Sequence, residues 1–110
     1  MEIRASKENG VWILQLHGKL DSFTSKDFQE RLLEGIADGQ DKILIDAEFL
    51  EYVSSAGLRT FYLAAQRLQE RHGKIVFCAL QPQVRRVFDI VDMSSEFAIL
   101  PTRVEAMKEF

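Results

Sequence analysis

The fold is decided by residues 42–80, whose sequence is KILIDAEFLEYVSSAGLRTFYLAAQRLQERHGKIVFCAL. Lys42–Asp46 is short and continuously apolar at its centre, which favours a buried strand in a parallel sheet. A helix is predicted from about Ser55 to His72, and Gly73 then precedes a second apolar strand, Lys74–Leu80. The apolar positions that define one face of this helix are Leu58, Phe61, Ala65 and Leu68. Such a strand–helix–strand unit crosses over right-handed and leaves its strands parallel.

An antiparallel hairpin is predicted ahead of this unit. Glu2–Lys7 and Val11–Leu16 are its strand segments. Asn9 and Gly10 lie between them and tolerate the positive φ that a tight hairpin turn requires. Gly18 is expected to close the hairpin.

Further helices and a short strand complete the predicted order. Thr24 is expected to cap the first helix, with Asp27 reaching back to a free amide as in a capping box. The buried stripe of that helix is Phe28, Leu32 and Ile36. Beyond the central unit, Pro82 suits the first position of a third helix, Phe97–Leu100 is a short strand, and a last helix starts at Arg103.

Length and composition agree with one globular domain. At 110 residues and 46% hydrophobic residues, without linker or repeat, the chain predicts a single domain over 1–110. The expected fold class is α/β, with a four- to five-stranded mixed sheet opened by the N-terminal hairpin and about four helices. A net charge of −3 provides no basic footprint for nucleic acid, and the apolar stretches are too short for a membrane span.

The cysteine usage and the N-terminus point to the cytoplasm. Cys78 is the only cysteine, so it cannot form an internal disulfide, and its apolar neighbours predict a buried, inert thiol. The residues after Met1 are charged and alternating, without the apolar core of a signal peptide. We therefore expect a cytoplasmic protein, and the sequence offers no metal-ligand cluster or cofactor-binding motif.

Two loops contain the residues that are the strongest candidates for a functional role. Gly18–Thr24 and Asp46–Ser55 each connect an inner strand to a helix, and strand-end loops are where ligands bind in such sheets. If the two strands are parallel neighbours, both loops lie at one edge of the sheet. Asp21 would then be an exposed carboxylate at that edge, although shaping its own turn is an equally ordinary role for aspartate.

The small residues at the start of the central helix allow two interpretations. Ser54 or Ser55 is an N-cap, which contributes about 1 kcal/mol. Alternatively, a partner approaches the backbone here, where the first amides of a helix have no internal partner. Gly57 favours the second interpretation modestly, because glycine costs about 1 kcal/mol relative to alanine inside a helix. Tight packing under a loop would also explain the glycine.

Both loops resemble motifs of the STAS domain family, the fold of bacterial anti-sigma-factor antagonists. The segment Gly18–Thr24, GKLDSFT, is similar to the family's Gly-x-Leu-Asp-x-x-Thr loop. The segment Val53–Leu58, VSSAGL, is similar to its second loop, hydrophobic-Asp-Ser-Ser/Thr-Gly-Leu, which an Asp precedes at a strand end, as Asp46 does here. A weaker similarity covers Cys78–Val84. The resemblance extends over essentially the whole chain.

The resemblance implies a function and a set of residues. It places the phosphoacceptor on Ser55, with Ser54, which replaces the family's aspartate, as second choice. It implies two protein partners, a serine kinase that doubles as anti-sigma factor and a metal-dependent serine phosphatase. Asp46 would shape its loop. The residues expected to bind the kinase are Asp21, Ser22, Thr24, Ser54, Ser55, Ala56, Gly57 and Leu58.

Two other classes of function are weighed against this one. An enzyme is disfavoured, because His17 and His72 have no nucleophile placed near them and no phosphate-binding glycine loop occurs. The second class is a passive STAS-like module that binds a ligand or scaffolds an assembly without being phosphorylated. Phe49, Tyr52 and Phe61 could line such a ligand site, but core packing would also explain them.

Overall fold

A computed structural model describes residues 1–110 and contains five strands and four helices. The strands are β1 (Glu2–Glu8), β2 (Val11–Leu20), β3 (Lys42–Val53), β4 (Lys74–Cys78) and β5 (Ala98–Leu100). The helices are α1 (Thr24–Ala37), α2 (Ser55–Gln69), α3 (Pro82–Ile90) and α4 (Arg103–Met107), with a 3₁₀ turn at Met93–Ser95. The order of elements is the predicted one.

The strands form one mixed sheet in the order β1-β2-β3-β4-β5. β1 pairs antiparallel with β2, whereas β2–β3, β3–β4 and β4–β5 are parallel pairs. This confirms the α/β class and the hairpin that opens the sheet. The hairpin turns at Asn9 and Gly10, which have φ of 51° and 80°.

Helices α1, α2 and α3 bury their apolar faces against one side of the sheet. Four rings form the centre of this core: Phe28, Phe61, Phe77 and Phe88. Phe61 meets Phe77 edge to face at a centroid distance of 4.9 Å, and Phe77 meets Phe88 at 5.4 Å. The short helix α4 covers the opposite side, where Ala106 packs in a second, smaller cluster. The carboxyl ends of β2 and β3 therefore lie at the same edge as the starts of α1 and α2.

Strands β2 and β3 continue further than predicted. Gly18 does not end β2 but lies inside it with φ of +105°, beside a shift in the register with β3. β3 extends from Lys42 to Val53, although β4 pairs with it only as far as Asp46. Two glutamines at the start of α3 bind carbonyl groups of the part of β3 that β4 leaves unpaired. Gln81 Nε2 donates to the Glu48 carbonyl at 2.7 Å, and Gln83 Nε2 to the Glu51 carbonyl at 3.1 Å.

Asp21 caps the turn that leads into α1, so the prediction that Thr24 caps this helix with Asp27 is wrong. Asp21 Oδ1 accepts from the amides of Phe23 at 2.9 Å and Thr24 at 3.0 Å. Its carbonyl accepts from the Ser25 amide, and Thr24 Oγ1 in turn accepts from the Asp21 amide at 2.9 Å. This is a capping box three residues upstream of the expected one. A carboxylate that satisfies two amides explains why the helical turn begins directly after Asp21.

Cys78 is buried in β4, as predicted. Burial raises the pKa of its thiol to about 12, and the nearby Asp46 carboxylate adds to this effect. The thiol is therefore protonated and inert at neutral pH. None of the four helices is long and apolar enough to cross a bilayer.

Candidate functional site

The two loops singled out in the sequence meet at one edge of the sheet. Leu20 and Val53, the last residues of β2 and β3, are partners in the parallel register. The Ser54 amide then donates to the Leu20 carbonyl at 2.8 Å, which ties the start of α2 to the residue before Asp21. This confirms that both loops lie side by side.

The two adjacent serines have different surroundings. Ser54 is the N-cap of α2, and its Oγ accepts from the Gly57 amide at 3.2 Å. Ser55 is the first residue of the helix, and its side chain is exposed and forms no hydrogen bond. Thus the capping interpretation applies to Ser54, whereas the Ser55 hydroxyl points to solvent without a structural task. Ser55 is the accessible nucleophile of the pair.

Gly57 and Leu58 face the core, which corrects their expected place on a contact surface. Leu58 is only 7% exposed. A Cβ on Gly57 would lie 2.8 Å from the Leu20 side chain and 2.9 Å from Val53, closer than real carbon atoms approach. The glycine is therefore explained by tight packing of α2 on the ends of β2 and β3. The two residues support the Ser55 loop from beneath.

Asp21 has one oxygen bound and one free. Oδ1 accepts the two amides that begin α1, while Oδ2 forms no hydrogen bond. The amides of Thr24 and, to a lesser extent, Phe23 lower the pKa of this carboxyl. Asp21 is therefore ionised at neutral pH. It shapes its own turn, as considered for the sequence, and still has an oxygen available to a partner.

The remaining loop residues surround this carboxylate. Ser22 is exposed, and Ala56 is partly exposed in the first turn of α2. Thr24 is half-buried, and its Oγ1 donates to the Lys19 carbonyl at 2.9 Å, which fixes the loop to the end of β2. Among the residues predicted to contact the partner, Asp21, Ser22, Ser55 and Ala56 are therefore exposed or partly exposed at this edge, and Thr24 holds the loop in place.

Asp46 lies away from this edge and does not shape the Ser55 loop, contrary to expectation. It is 3% exposed, within β3, on the side of the sheet that α4 covers. Asp46 Oδ2 accepts from Arg103 Nη2 at 2.7 Å and Nε at 3.0 Å, and from Gln15 Nε2 at 3.3 Å. Oδ1 accepts from the Glu48 amide at 3.1 Å. Sequence reasoning missed Arg103, whose ion pair attaches α4 to the sheet.

Asp21 and Asp46 lie too far apart to act as a pair of catalytic carboxylates. Asp46 lies beside Gln15, six residues before Asp21 along β2, so about 20 Å of strand separates the two carboxylates. The His17 ring stacks on Phe49 at 4.7 Å and contacts Gln15 Oε1, on that same distant part of the sheet. No group of three His, Cys, Asp or Glu residues is placed to hold a metal ion.

Comparisons with known proteins agree with this geometry. The sequence matches the STAS domain family over residues 2–106. It is 33% identical over 110 residues to BtrV of Bordetella bronchiseptica, which is named as an anti-sigma factor antagonist, covering 100% of this chain and 95% of BtrV. The anti-sigma F factor antagonist of Paenibacillus polymyxa is 28% identical over 102 residues, covering 92% of this chain and 85% of the relative.

Solved structures show the same fold. A Thermotoga maritima protein described as an anti-sigma factor antagonist superposes with a TM-score of 0.93 at 19% identity, covering 97% of this chain and 92% of that chain. The phosphorylated form of SpoIIAA from Bacillus superposes with a TM-score of 0.78 at 18% identity, covering 98% of each chain. The chain belongs to the STAS domain family, among relatives that are named as anti-sigma factor antagonists.

Proposed function

We propose that this chain is an anti-sigma factor antagonist whose binding is switched by phosphate on Ser55. The observation that carries the proposal is the contrast between the two serines. Ser54 uses its hydroxyl to cap α2, whereas the Ser55 hydroxyl is exposed and unbonded on the next residue. A kinase can therefore modify Ser55 without breaking a contact that holds the fold together.

The proposed partner is an anti-sigma factor, as the relatives' names suggest. The proposal adds that this anti-sigma factor is also the serine kinase that modifies Ser55. It would contact the surface formed by Asp21, Ser22, Ser55 and Ala56. The free oxygen of Asp21 supplies a negative charge for a basic side chain of the partner. A neutral Ser54 beside the acceptor, where the family has aspartate, lowers the repulsion toward the phosphates of the kinase's ATP.

Phosphate at Ser55 would leave the fold intact and oppose binding. It adds a charge of about −1.5 to −2 at a helix start, where free amides and the helix dipole favour an anion. In a complex, the same charge would be desolvated close to the ionised Asp21 carboxylate. Burying a charge without a partner costs several kcal/mol, so the phosphorylated surface binds weakly.

Reversal of the switch requires a phosphatase. The proposal includes a metal-dependent serine phosphatase, with the metal ion belonging to that enzyme, and a cytoplasmic setting in which ATP is available. The chain itself acts as a regulator without catalytic activity of its own. It needs no cofactor for this role.

The experiment that tests the proposal is phosphorylation of matched serine variants. The purified chain, Ser54→Ala and Ser55→Ala are incubated with the host's serine-kinase anti-sigma factor and labelled ATP, and the site is mapped by peptide fragmentation. We expect wild type and Ser54→Ala to incorporate phosphate at Ser55. Ser55→Ala should incorporate less than about a tenth as much, because the remaining serine is engaged in the cap.

Other outcomes would contradict the assignment. Phosphate mainly on Ser54, Ser22 or Ser25 would show that the wrong hydroxyl was chosen. Phosphate on no serine, in a chain that still binds the kinase, would favour the alternative function of a passive STAS-like module that binds a ligand or scaffolds an assembly.

A further inference from the structure

Phe23 is the most exposed large apolar side chain of the protein. Its side chain is 89% exposed, and the ring stacks on no other aromatic ring. A phenylalanine ring buries roughly 150–250 Å² when it is covered, so its full exposure leaves a large apolar area in water. The residue lies in the middle of the GKLDSFT loop.

The fold does not require an aromatic residue at this position. The only contact of Phe23 that holds the loop is made by its backbone amide, which donates to Asp21 Oδ1. Any residue except proline supplies that amide. The backbone of Phe23 is helical, with φ −82° and ψ −42°, and phenylalanine is a weaker helix former than alanine. An exposed aromatic ring that the fold does not require breaks the usual rule that large apolar side chains are buried. Residues that break such a local rule are expected at functional sites.

Phe23 lies level with Ser55. Helices α1 and α2 are joined by the bond from Thr60 Oγ1 to Gln29 Oε1 at 3.2 Å. Thr60 follows Ser55 by five residues, and Gln29 follows the first residue of α1 by five, so the two helices start at the same height. Neighbouring helices pack with their axes about 8–10 Å apart. One protein surface can therefore cover both the ring and Ser55.

We propose that Phe23 is the apolar anchor by which this chain docks onto the anti-sigma factor. The inference rests on the proposed function and assigns it a residue that neither loop motif specifies. The complementary surface is an apolar pocket of the anti-sigma factor, with a basic side chain at its rim opposite the free oxygen of Asp21. Buried aromatic residues of this kind carry a large share of the binding energy in protein interfaces.

Truncation of the ring separates binding from folding. Phe23→Ala should raise the Kd for the host's serine-kinase anti-sigma factor by about 30-fold or more, the size of effect typical of a hot-spot residue. Its melting temperature should stay close to that of wild type, because the ring is 89% exposed and the backbone amide that holds the loop is kept. Phe23→Leu, which keeps an apolar side chain, should lose less affinity than Phe23→Ala.

The matched control is Val104→Ala, because Val104 is 70% exposed and lies on α4, on the opposite side of the sheet. Its Kd should stay within about twofold of wild type, as for a residue outside the interface. A Kd for Phe23→Ala within threefold of wild type would overturn the anchor, and so would a loss of affinity matched by a loss of stability. Failure of wild type itself to bind the kinase would instead refute the proposed function.

Discussion

Ser55→Asp is expected to raise the Kd for the serine-kinase anti-sigma factor by about 100-fold or more, since an unpaired charge that must be desolvated costs several kcal/mol. The free Asp21 carboxylate on the neighbouring loop increases this cost, because both anions would face the same partner surface. Because the effect is electrostatic, isothermal titration calorimetry at two salt concentrations should show a smaller loss of affinity at high salt.

The same variant should fold normally. The Ser55 hydroxyl forms no hydrogen bond that the substitution would break. An acidic residue at a helix start typically increases the free energy of unfolding by roughly 0.3–1 kcal/mol. Ser55→Asn is the matched control, because it has nearly the same size as aspartate without the charge, and it should retain most of the affinity. If Ser55→Asp bound like wild type, or lost its circular dichroism signal, the surface switch would be refuted.

Arg103→Ala should lower the free energy of unfolding by about 3 kcal/mol, which is on the order of 10–20 °C in melting temperature for a domain of this size. The guanidinium donates two hydrogen bonds to Asp46, a carboxylate with almost no exposure to solvent. Without Arg103, the Asp46 carboxylate stays buried, and Gln15 is the only remaining donor of a hydrogen bond to its Oδ2. Because Arg103 is partly exposed, water can reach the site, and we expect the lower end of the range for broken buried pairs.

A double-mutant cycle separates the ion pair from the loss of the arginine stem. Asp46→Ala combined with Arg103→Ala should cost less than the sum of the single variants, since the second substitution removes the unpaired charge. Arg85→Ala is the control, because the Arg85–Asp89 pair at 3.4 Å lies on the surface and should contribute little. Thermal denaturation that places Arg103→Ala within 3 °C of wild type would contradict this role.

The order of elements followed from periodicity, but two strand ends did not. β3 is continuously buried from Ile43 to Ala47, and beyond Ala47 only Leu50 and Val53 are buried, at intervals of three. The register between β2 and β3 shifts twice along this part, and β4 no longer pairs with it. Register shifts of this kind depend on the pairing with the neighbouring strand, so the hydrophobic pattern of one strand does not predict them.

The site shows the same division between local and tertiary information. Both serines are good N-caps, and only the position of the β3 end decides that Ser54 caps α2 and leaves Ser55 exposed. Likewise, Asp21 and Thr24 are both capable of capping α1, and the sequence alone favoured the wrong one. The sequence alone does not show that Phe23 is exposed, because its burial depends on the tertiary packing of the loop.

The most direct test of the switch is the affinity of the phosphorylated protein itself. The chain is phosphorylated by the host kinase, repurified, and titrated against the anti-sigma factor before and after treatment with the metal-dependent phosphatase. We predict that phosphate weakens binding by about 100-fold or more and that the phosphatase restores the wild-type Kd. Equal affinity of the phosphorylated and unmodified chains would contradict the account.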